Sequence, residues 1–329
     1  MLVSPEDFER SLEIVRAVAT EPRMGIYGPA SLTWRVNREA AVFLGAGRAL
    51  LLQLAHPWVA AAIADQSHVF ADPVGRFHRT FGVMFTMTFG TLDQALAAAR
   101  RLYRRHASVS GVLPASVGPF AAGSRYSANE VSALRWVHAT LIETAVLAHD
   151  LVLPSLNDDE RTGYLSEARR LASLFGIPQA CLARDWASFQ IYTQAMADSD
   201  VLTVSPAARD IAMQLFSTRV TGIAVPLWYR ALTAQMLPER LRMAFGLPLG
   251  QAERRSASRA LKWMRRIYPS LPDRLRTVGP YQEARARVQG ADRLALSTRW
   301  LNRLWIGEPS MGSRLNASTE QGAAVRERP

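Results

Sequence analysis

Apolar residues recur at helical spacing along almost the whole chain. They fall three, four and seven positions apart in most segments, and no segment alternates apolar and polar residues over the length of a strand. No Asn-Gly or Asp-Gly pair joins two apolar runs, so the usual signal of a β-hairpin is missing. The pattern therefore predicts an all-α protein.

Capping residues and prolines divide this pattern into separate helices. Capping boxes that begin at Thr91 and Ser127 predict two helix starts. Pro57 is expected to kink a long apolar helix over residues 37–64, and residues 108–125 are predicted to form a loop. Further helices are predicted to start at Asn157 and to cover residues 180–198, 206–219, 227–245, 251–267 and 283–304.

No linker divides these helices into two domains. Residues 1–306 are therefore predicted to form a single helical domain. Residues 307–329 are polar and contain few large apolar side chains, so we predict that they form a disordered tail.

The composition is that of a globular protein with a sizeable core, because 49% of residues are hydrophobic and 20% are charged. The single cysteine, Cys181, excludes an intramolecular disulfide and a cysteine-rich zinc site. The N-terminus lacks the pattern of a secretory signal, and the longest apolar run, residues 49–64, is too short and too polar to span a bilayer. The sequence thus favours a cytoplasmic protein that is soluble or peripherally bound to a membrane.

The positive charge is concentrated towards the C-terminal end. The net charge is +11, and residues 251–306 contain thirteen Arg or Lys against four Asp or Glu. Trp263 and Trp300 lie among them, which fits contact with an anionic membrane surface. The alternative is a set of solvated, arginine-rich helices. No nucleic-acid-binding motif accompanies the charge, so nucleic acid is not an expected partner.

Imidazole chemistry is confined to the first half of the chain, because all six histidines lie between positions 56 and 149. One helix carries an apolar stripe that consists of Leu92, Leu96, Ala99, Leu102, Tyr103 and His106. A buried, neutral His106 can bind haem iron, for which a single histidine is the usual proximal ligand. It can equally be a core histidine that is bonded to a backbone carbonyl.

A second candidate group lies one helix earlier, at positions 76–80. Arg76 and Thr80 are four residues apart and share a helix face, with Arg79 beside them. An arginine on an inward face needs an anion, since burying an unpaired charge is costly. A haem propionate, a substrate carboxylate or an acidic side chain would each serve, whereas an exposed or salt-bridged arginine needs no ligand.

Two further histidines are candidates for lining a pocket. His56 interrupts an apolar run just before Pro57, where it can line a pocket or bond to the carbonyl that the proline leaves free. His138 can be a pocket residue, a second ligand, or a core histidine bonded to Glu143 or Thr140. The sequence has no Gly-rich phosphate loop, no nucleophile elbow and no covalent haem-attachment motif, so any haem is bound non-covalently.

An ordered set of segments resembles one known family. The segments are residues 48–57, Asp72-Pro73-x-x-Arg76-x-x-Arg79-Thr80, His106, Tyr126-Ser127-Ala128 and residues 136–140. Over residues 25–245, approximately, the chain is similar to the catalytic domain of the MpaB/rubber oxygenase family, which includes the latex-clearing proteins. This resemblance implies a globin-like, all-α fold that binds haem b and uses O2 to cleave carbon–carbon double bonds in isoprenoid chains.

The resemblance also implies roles for individual residues. His106 matches the proximal ligand, and Arg76, Arg79 and Thr80 match a distal Arg-x-x-Lys-Thr motif. Arg79 replaces the lysine of those members, and an arginine is a poor iron ligand because it stays protonated. The glutamate that those members place upstream as a base is absent here, and His56 is a candidate substitute.

We therefore expect a haem b-dependent oxygenase that oxidises an apolar isoprenoid or lipid-like substrate with O2. The predicted catalytic residues are Arg76, Arg79 and Thr80, and the predicted cofactor-binding residues are His106 (as metal ligand), Arg76, His56 and His138. Two alternatives remain open. One is a non-catalytic haem or lipid carrier that uses the same pocket, and the other is a protein that binds an anionic membrane surface.

Overall fold

The computed structural model describes residues 1–65, 72–216 and 225–313. Over these ranges the chain forms sixteen α-helices and one two-stranded sheet, which confirms the all-α prediction. The helices are α1 (Pro5–Val18), α2 (Leu32–Asn37), α3 (Ala46–Leu54), α4 (Pro57–Asp65), α5 (Pro73–Phe89), α6 (Leu92–Ala107), α7 (Val131–Val152), α8 (Asp158–Leu174), α9 (Trp186–Asp198), α10 (Pro206–Leu215), α11 (Leu227–Met236), α12 (Glu239–Ala244), α13 (Gln251–Ile267), α14 (Asp273–Arg276), α15 (Gly279–Val288) and α16 (Leu296–Ile306). The sheet pairs β1 (Ser110–Val112) with β2 (Arg125–Ser127) in antiparallel register. The strand β1 lies inside the predicted loop over residues 108–125, and β2 begins at the last residue of that loop.

Proline and glycine end some helices earlier than predicted. Residues 227–245 form two helices, α11 and α12, because Pro238 forces the residue before it out of the helical conformation. Residues 283–304 include parts of α15 and α16, with Gly290 at a positive φ of 80° between them. Of the helix predicted over residues 206–219, the last three positions lie outside the described residues.

Pro57 breaks the long apolar segment rather than bending it. Helix α3 ends at Leu54, and α4 begins at Pro57, with the buried His56 between them. Proline lacks a backbone N–H and its ring clashes with the preceding turn, whereas it fits the first position of a new helix. A short 3-10 helix, Ala40–Gly45, precedes α3, so the predicted helix over 37–64 is three consecutive elements.

The central helix α7 does not begin with the capping box predicted at Ser127. It begins at Val131, and its N-cap residue, Glu130, makes no side-chain capping bond. Ser127 Oγ instead accepts a hydrogen bond from the backbone N–H of Asn129 at 3.3 Å, inside the turn that follows β2. The predicted box is therefore wrong because strand pairing places Ser127 in the sheet.

Helices α3 and α7 are joined by the polar residues that stand out among their apolar neighbours. Arg48 donates to Glu143 Oε2 at 2.7 Å, and Gln53 donates to Thr140 Oγ1 at 3.0 Å. The indole N–H of Trp136 donates to the Leu52 carbonyl at 2.9 Å. These bonds fix the register of the two helices, so that the segments 48–57 and 136–140 lie side by side in the fold.

Helices α5 and α6 form an antiparallel pair with only Gly90 and Thr91 between them. The capping box predicted at Thr91 is confirmed, because Thr91 and Gln94 exchange side-chain-to-backbone bonds. A connection this short makes the two helices lie side by side in opposite directions. The first turn of α5 therefore lies at the same end of the pair as the last turn of α6.

One face of α5 carries four phenylalanines that are spaced four residues apart. This aromatic ladder consists of Phe77, Phe81, Phe85 and Phe89. Phe43 packs against it, with 4.7 Å between its ring centroid and that of Phe81. Trp305 of α16 packs on Phe43, with 4.5 Å between the ring centroids, and its ring also lies 6.4 Å from that of Phe85. The C-terminal helix thus supports the helix that carries Arg76.

A buried ion-pair network also ties the C-terminal segment to the core. The Glu39 carboxylate is almost fully buried and lies 3.1 Å from the Arg38 guanidinium and 3.0 Å from that of Arg276. The hydroxyl of Tyr268 donates to the same carboxylate at 3.1 Å. We refer to these four residues as the Glu39 network.

The segment predicted to be a disordered tail is packed at its beginning. Gly307 ends α16 with a positive φ of 73°, which turns the chain back over the helix. Met311 is buried, and its backbone N–H donates to the Glu283 carboxylate at 3.1 Å. The correction concerns residues 307–313, because residues 314–329 lie outside the described residues.

Candidate functional site

His106 lies in the last turn of α6 and is half-buried. Burial, and to a smaller degree the charge of Arg105, lowers the pKa of His106 to about 4. The imidazole is therefore neutral at pH 7, which is the form that binds a metal. Within the described ranges no group forms a hydrogen bond with its ring nitrogens.

Arg76 lies at the same end of the α5–α6 pair and is half-buried without a counter-charge. Burial lowers the pKa of the Arg76 guanidinium, and the charges of Arg105 and Arg79 lower it further. No carboxylate of the described residues forms an ion pair with Arg76. Arg105 acts on both Arg76 and His106, so these three residues form one basic cluster with the capacity to hold an anion.

Arg79 and Thr80 lie on the outer side of this cluster. Asp72 caps α5 by accepting the Gly75 N–H at 2.8 Å, and its carboxylate also accepts from Arg79 at 3.0 Å. The Gly75 bond, followed by the Arg79 guanidinium, holds the pKa of Asp72 below its usual range. Both Arg79 and Thr80 are exposed, and Asp72 holds the Arg79 side chain towards the start of the helix.

His56 lies at the corner between α3 and α4, where only 2% of it is exposed. The rings of Trp58 and Phe120 lie 5.9 and 5.5 Å from its own. Burial lowers the pKa of His56 to about 4. Neither Nδ1 of His56 nor Nε1 of Trp58 has a partner among the described residues, so two buried ring nitrogens remain available to a ligand or to water.

The structure places His138 in the core of the helix bundle. Its Nε2 lies 3.0 Å from the Ala168 carbonyl oxygen of α8. The partners expected from the sequence, Glu143 and Thr140, are instead engaged by Arg48 and Gln53. This geometry is that of a core histidine whose ring joins two helices.

The three remaining histidines are His78, His149 and His68, and none of them belongs to the described basic cluster. His78 Nε2 lies 3.0 Å from the Leu304 carbonyl oxygen of α16. His149 Nδ1 lies 3.1 Å from the Asp150 carboxylate. His68 lies outside the described residues.

Lowering the pH is expected to destabilise the fold through His56 and His138. Burial lowers the pKa of each to about 4, whereas an unfolded histidine titrates near about 6.5. Between these values the unfolded chain binds more protons than the folded one, so stability falls as the pH falls. Urea denaturation at about pH 7 and about pH 5 measures the change. The variant His138→Gln should show a smaller decrease, and an equal decrease would contradict this assignment.

Two features of the structure are not predicted from the sequence. The Tyr126 hydroxyl of β2 donates to the Asp65 carboxylate at the end of α4, a pairing that no local spacing reveals. A cavity of about 140 Å3 lies elsewhere, between α3, α7 and α9, and includes none of the predicted site residues. It is lined in part by Arg48, Glu143 and Gln194.

The described part of the chain contains no group of three or more His, Cys, Asp or Glu side chains that could hold a metal ion. Haem iron needs only one protein ligand, so this finding does not bear on a haem site. In the same ranges no helix is both long enough and apolar enough to cross a membrane.

Comparison with known proteins identifies one family. The family model described as "ER-bound oxygenase mpaB/B'/Rubber oxygenase, catalytic domain" matches residues 34–266. No curated protein and no solved structure matches the chain significantly. The match covers α3 to α12 completely, and with them the basic cluster, His56 and His138. The chain therefore belongs to the MpaB/rubber oxygenase family and carries its oxygenase catalytic domain.

Proposed function

We propose that this protein is a haem b-dependent oxygenase that uses O2 to oxidise an apolar isoprenoid or lipid-like substrate. Membership of an oxygenase family supports the reaction class. The observation that carries the cofactor is the half-buried, neutral His106, which has no hydrogen-bond partner among the described residues and lies within an arginine cluster.

The donor set of the basic cluster fits haem b. One neutral imidazole is sufficient as the protein ligand of haem iron. The two propionates of haem b are anionic, and Arg76 and Arg105 have no ion-pair partner among the described residues. His106 would hold the iron, and Arg76 would bind a propionate or donate a hydrogen bond to O2. When bound, the haem supplies the O2 activation that no side chain provides.

Arg79 differs from a lysine at the same position because its side chain cannot bind iron. A lysine can lose its proton and bind iron, whereas the arginine guanidinium stays protonated and has no free electron pair to donate. In the structure Arg79 is bonded to Asp72 at the start of α5. We propose that Arg79 and Thr80 would act only as hydrogen-bond donors, so that the Arg-x-x-Arg-Thr motif of this chain would supply no ligand to haem iron.

His56 and Trp58 are proposed to contact the substrate. Their rings, together with that of Phe120, form an apolar wall with two unpartnered nitrogens. A pKa of about 4 makes His56 a weak base at pH 7. It would therefore accept or donate a hydrogen bond at a polar atom of the substrate, rather than remove a proton as the glutamate of other members is proposed to do.

The test begins with the wild-type protein, purified after haem is supplied. We expect a Soret band that coelutes with the protein, and oxygen uptake when squalene is added as an isoprenoid substrate. A Soret band without substrate-dependent oxygen uptake from squalene or from unsaturated lipid would favour the haem-carrier alternative. The absence of a Soret band would overturn the haem assignment.

A further inference from the structure

Helix α16 has two apolar faces, and only one of them is covered. Its inner face packs Trp305 and Ile306 against the core. Its outer face presents Leu296, Trp300 and Leu304, which are 79%, 64% and 53% exposed. These three residues are four apart, so they form one continuous apolar stripe along the outside of the helix, which we call the α16 stripe.

Such a stripe is unusual on the surface of a soluble protein. Single exposed apolar residues are common, but aligned large ones mark a site of contact with another molecule. Tryptophan and leucine beside arginine are the side chains that insert at a bilayer surface, with the arginine heads at the level of the lipid phosphates.

The charges around the stripe indicate which molecule it meets. From Arg293 to Gly307 the chain contains three arginines and no acidic residue, although Asp292 and Glu308 flank this segment. Arg299 and Arg303 lie beside the stripe on the same side of the helix, and neither forms an ion pair with a described residue. An apolar stripe bordered by unpaired arginines is complementary to a surface that is apolar inside and anionic outside.

Two other occupants fit this surface less well. A second copy that docked through the same face would bring arginines against arginines, because a two-fold interface is self-complementary. The chain after residue 313 contains three arginines and two glutamates, and its only large apolar residues are Leu315 and Val325. It offers neither the negative charge nor the apolar side chains that the stripe would need.

We propose that the α16 stripe docks the protein on anionic lipid membranes, with Leu296, Trp300 and Leu304 inserted between headgroups and with Arg299 and Arg303 on the phosphates. The contact would be peripheral and reversible, since one short helix face contributes it. This inference does not depend on the cofactor or on the reaction.

The first experiment is cosedimentation of the full chain with lipid vesicles. We expect binding to phosphatidylcholine vesicles that contain about 30% phosphatidylserine, and little binding to phosphatidylcholine alone. Raising NaCl from about 0.1 M to about 0.5 M should weaken the binding, because salt screens exposed charges. Equal binding to both kinds of vesicle, or no binding to either, would overturn the proposal.

Two double variants then locate the contact. Trp300→Ser with Leu304→Ser should weaken binding by at least about tenfold through lost insertion. Arg299→Gln with Arg303→Gln should weaken it by about thirtyfold, since each arginine near an anionic surface contributes about 1 kcal/mol. All four side chains are exposed, and neither arginine forms an ion pair with a described residue. The circular dichroism spectra and melting temperatures of both variants should therefore match those of the wild type.

Matched controls test whether vesicle binding depends on the α16 stripe itself or only on the net charge and the exposed apolar area of the protein. Ile191→Ser removes another apolar side chain that is 71% exposed. Arg255→Gln with Arg259→Gln removes two exposed arginines from α13. Both controls should bind vesicles nearly as the wild type does. Equal losses in the controls would mean that the α16 stripe is not the docking site, and a dimer in light scattering that only the α16 variants abolish would make the stripe a self-interface instead.

Discussion

Replacing His106 with glutamine is expected to abolish haem ligation. Glutamine has nearly the size of histidine but lacks a nitrogen electron pair that binds iron. Changes to residues that merely orient a metal ligand lower affinity by about 10- to 100-fold, so loss of the ligand itself should exceed about 100-fold. The measurement is a haem titration followed by the Soret band, together with oxygen uptake in the presence of substrate.

The control for this variant is His78→Gln. His78 lies on the neighbouring helix α5 but contacts the Leu304 carbonyl rather than the basic cluster. It should retain the wild-type spectrum. A wild-type ligation spectrum in His106→Gln would contradict the proposed ligand, and loss of the spectrum in both variants would indicate that the helix pair itself had been disturbed.

Of the substitutions proposed for this protein, Glu39→Gln is expected to cause the largest decrease in the free energy of unfolding. The Glu39 carboxylate is 2% exposed and lies between Arg38 and Arg276. Neutralising one partner of a buried ion pair leaves an uncompensated charge, which typically costs about 3–5 kcal/mol. Urea denaturation should show this decrease in the free energy of unfolding.

An exposed ion pair provides the comparison. Asp7 and Arg10 of α1 are 60% and 70% exposed, and Asp7→Asn should change stability by less than about 1 kcal/mol. Replacing Glu39 and Arg276 together by Leu and Met should recover part of the loss, since the Arg276 charge is then removed together with its partner. A cost below about 1 kcal/mol for Glu39→Gln would contradict a structural role for the network.

The helical character and several helix starts follow from local chemistry, and the errors show where local chemistry is not sufficient. Thr91 caps α6 as predicted, because its hydroxyl and Gln94 are within one turn of each other. Ser127 presents the same spacing but is paired with Ser110 across the sheet, and no local signal reveals that pairing. The sequence predicts that Pro57 changes the direction of the helix. It does not show that ending α3 and starting α4 at Pro57 satisfies the backbone hydrogen bonds better than a kinked helix would.

The candidate site was predictable only in part. The phase of α6 placed His106 near the apolar stripe, and the structure shows it half-buried. The proximity of Arg76 to Arg105 depends on a helix pair with a short connection, which a list of motifs does not contain. The contacts of His138 with α8 and of Tyr126 with Asp65 join residues far apart in sequence, so they required the three-dimensional packing.

The aromatic ladder has a consequence for where this protein can be divided. Phe43 and the ladder lie inside residues 34–266, yet Trp305, which covers Phe43, lies beyond them. The Glu39 network crosses the same limit through Arg276. The contacts that hold the fold together therefore extend beyond the length of chain that the family shares. A fragment cut at the family boundary would expose the ladder to water, and exchange of catalytic domains between relatives would have to include the C-terminal helices.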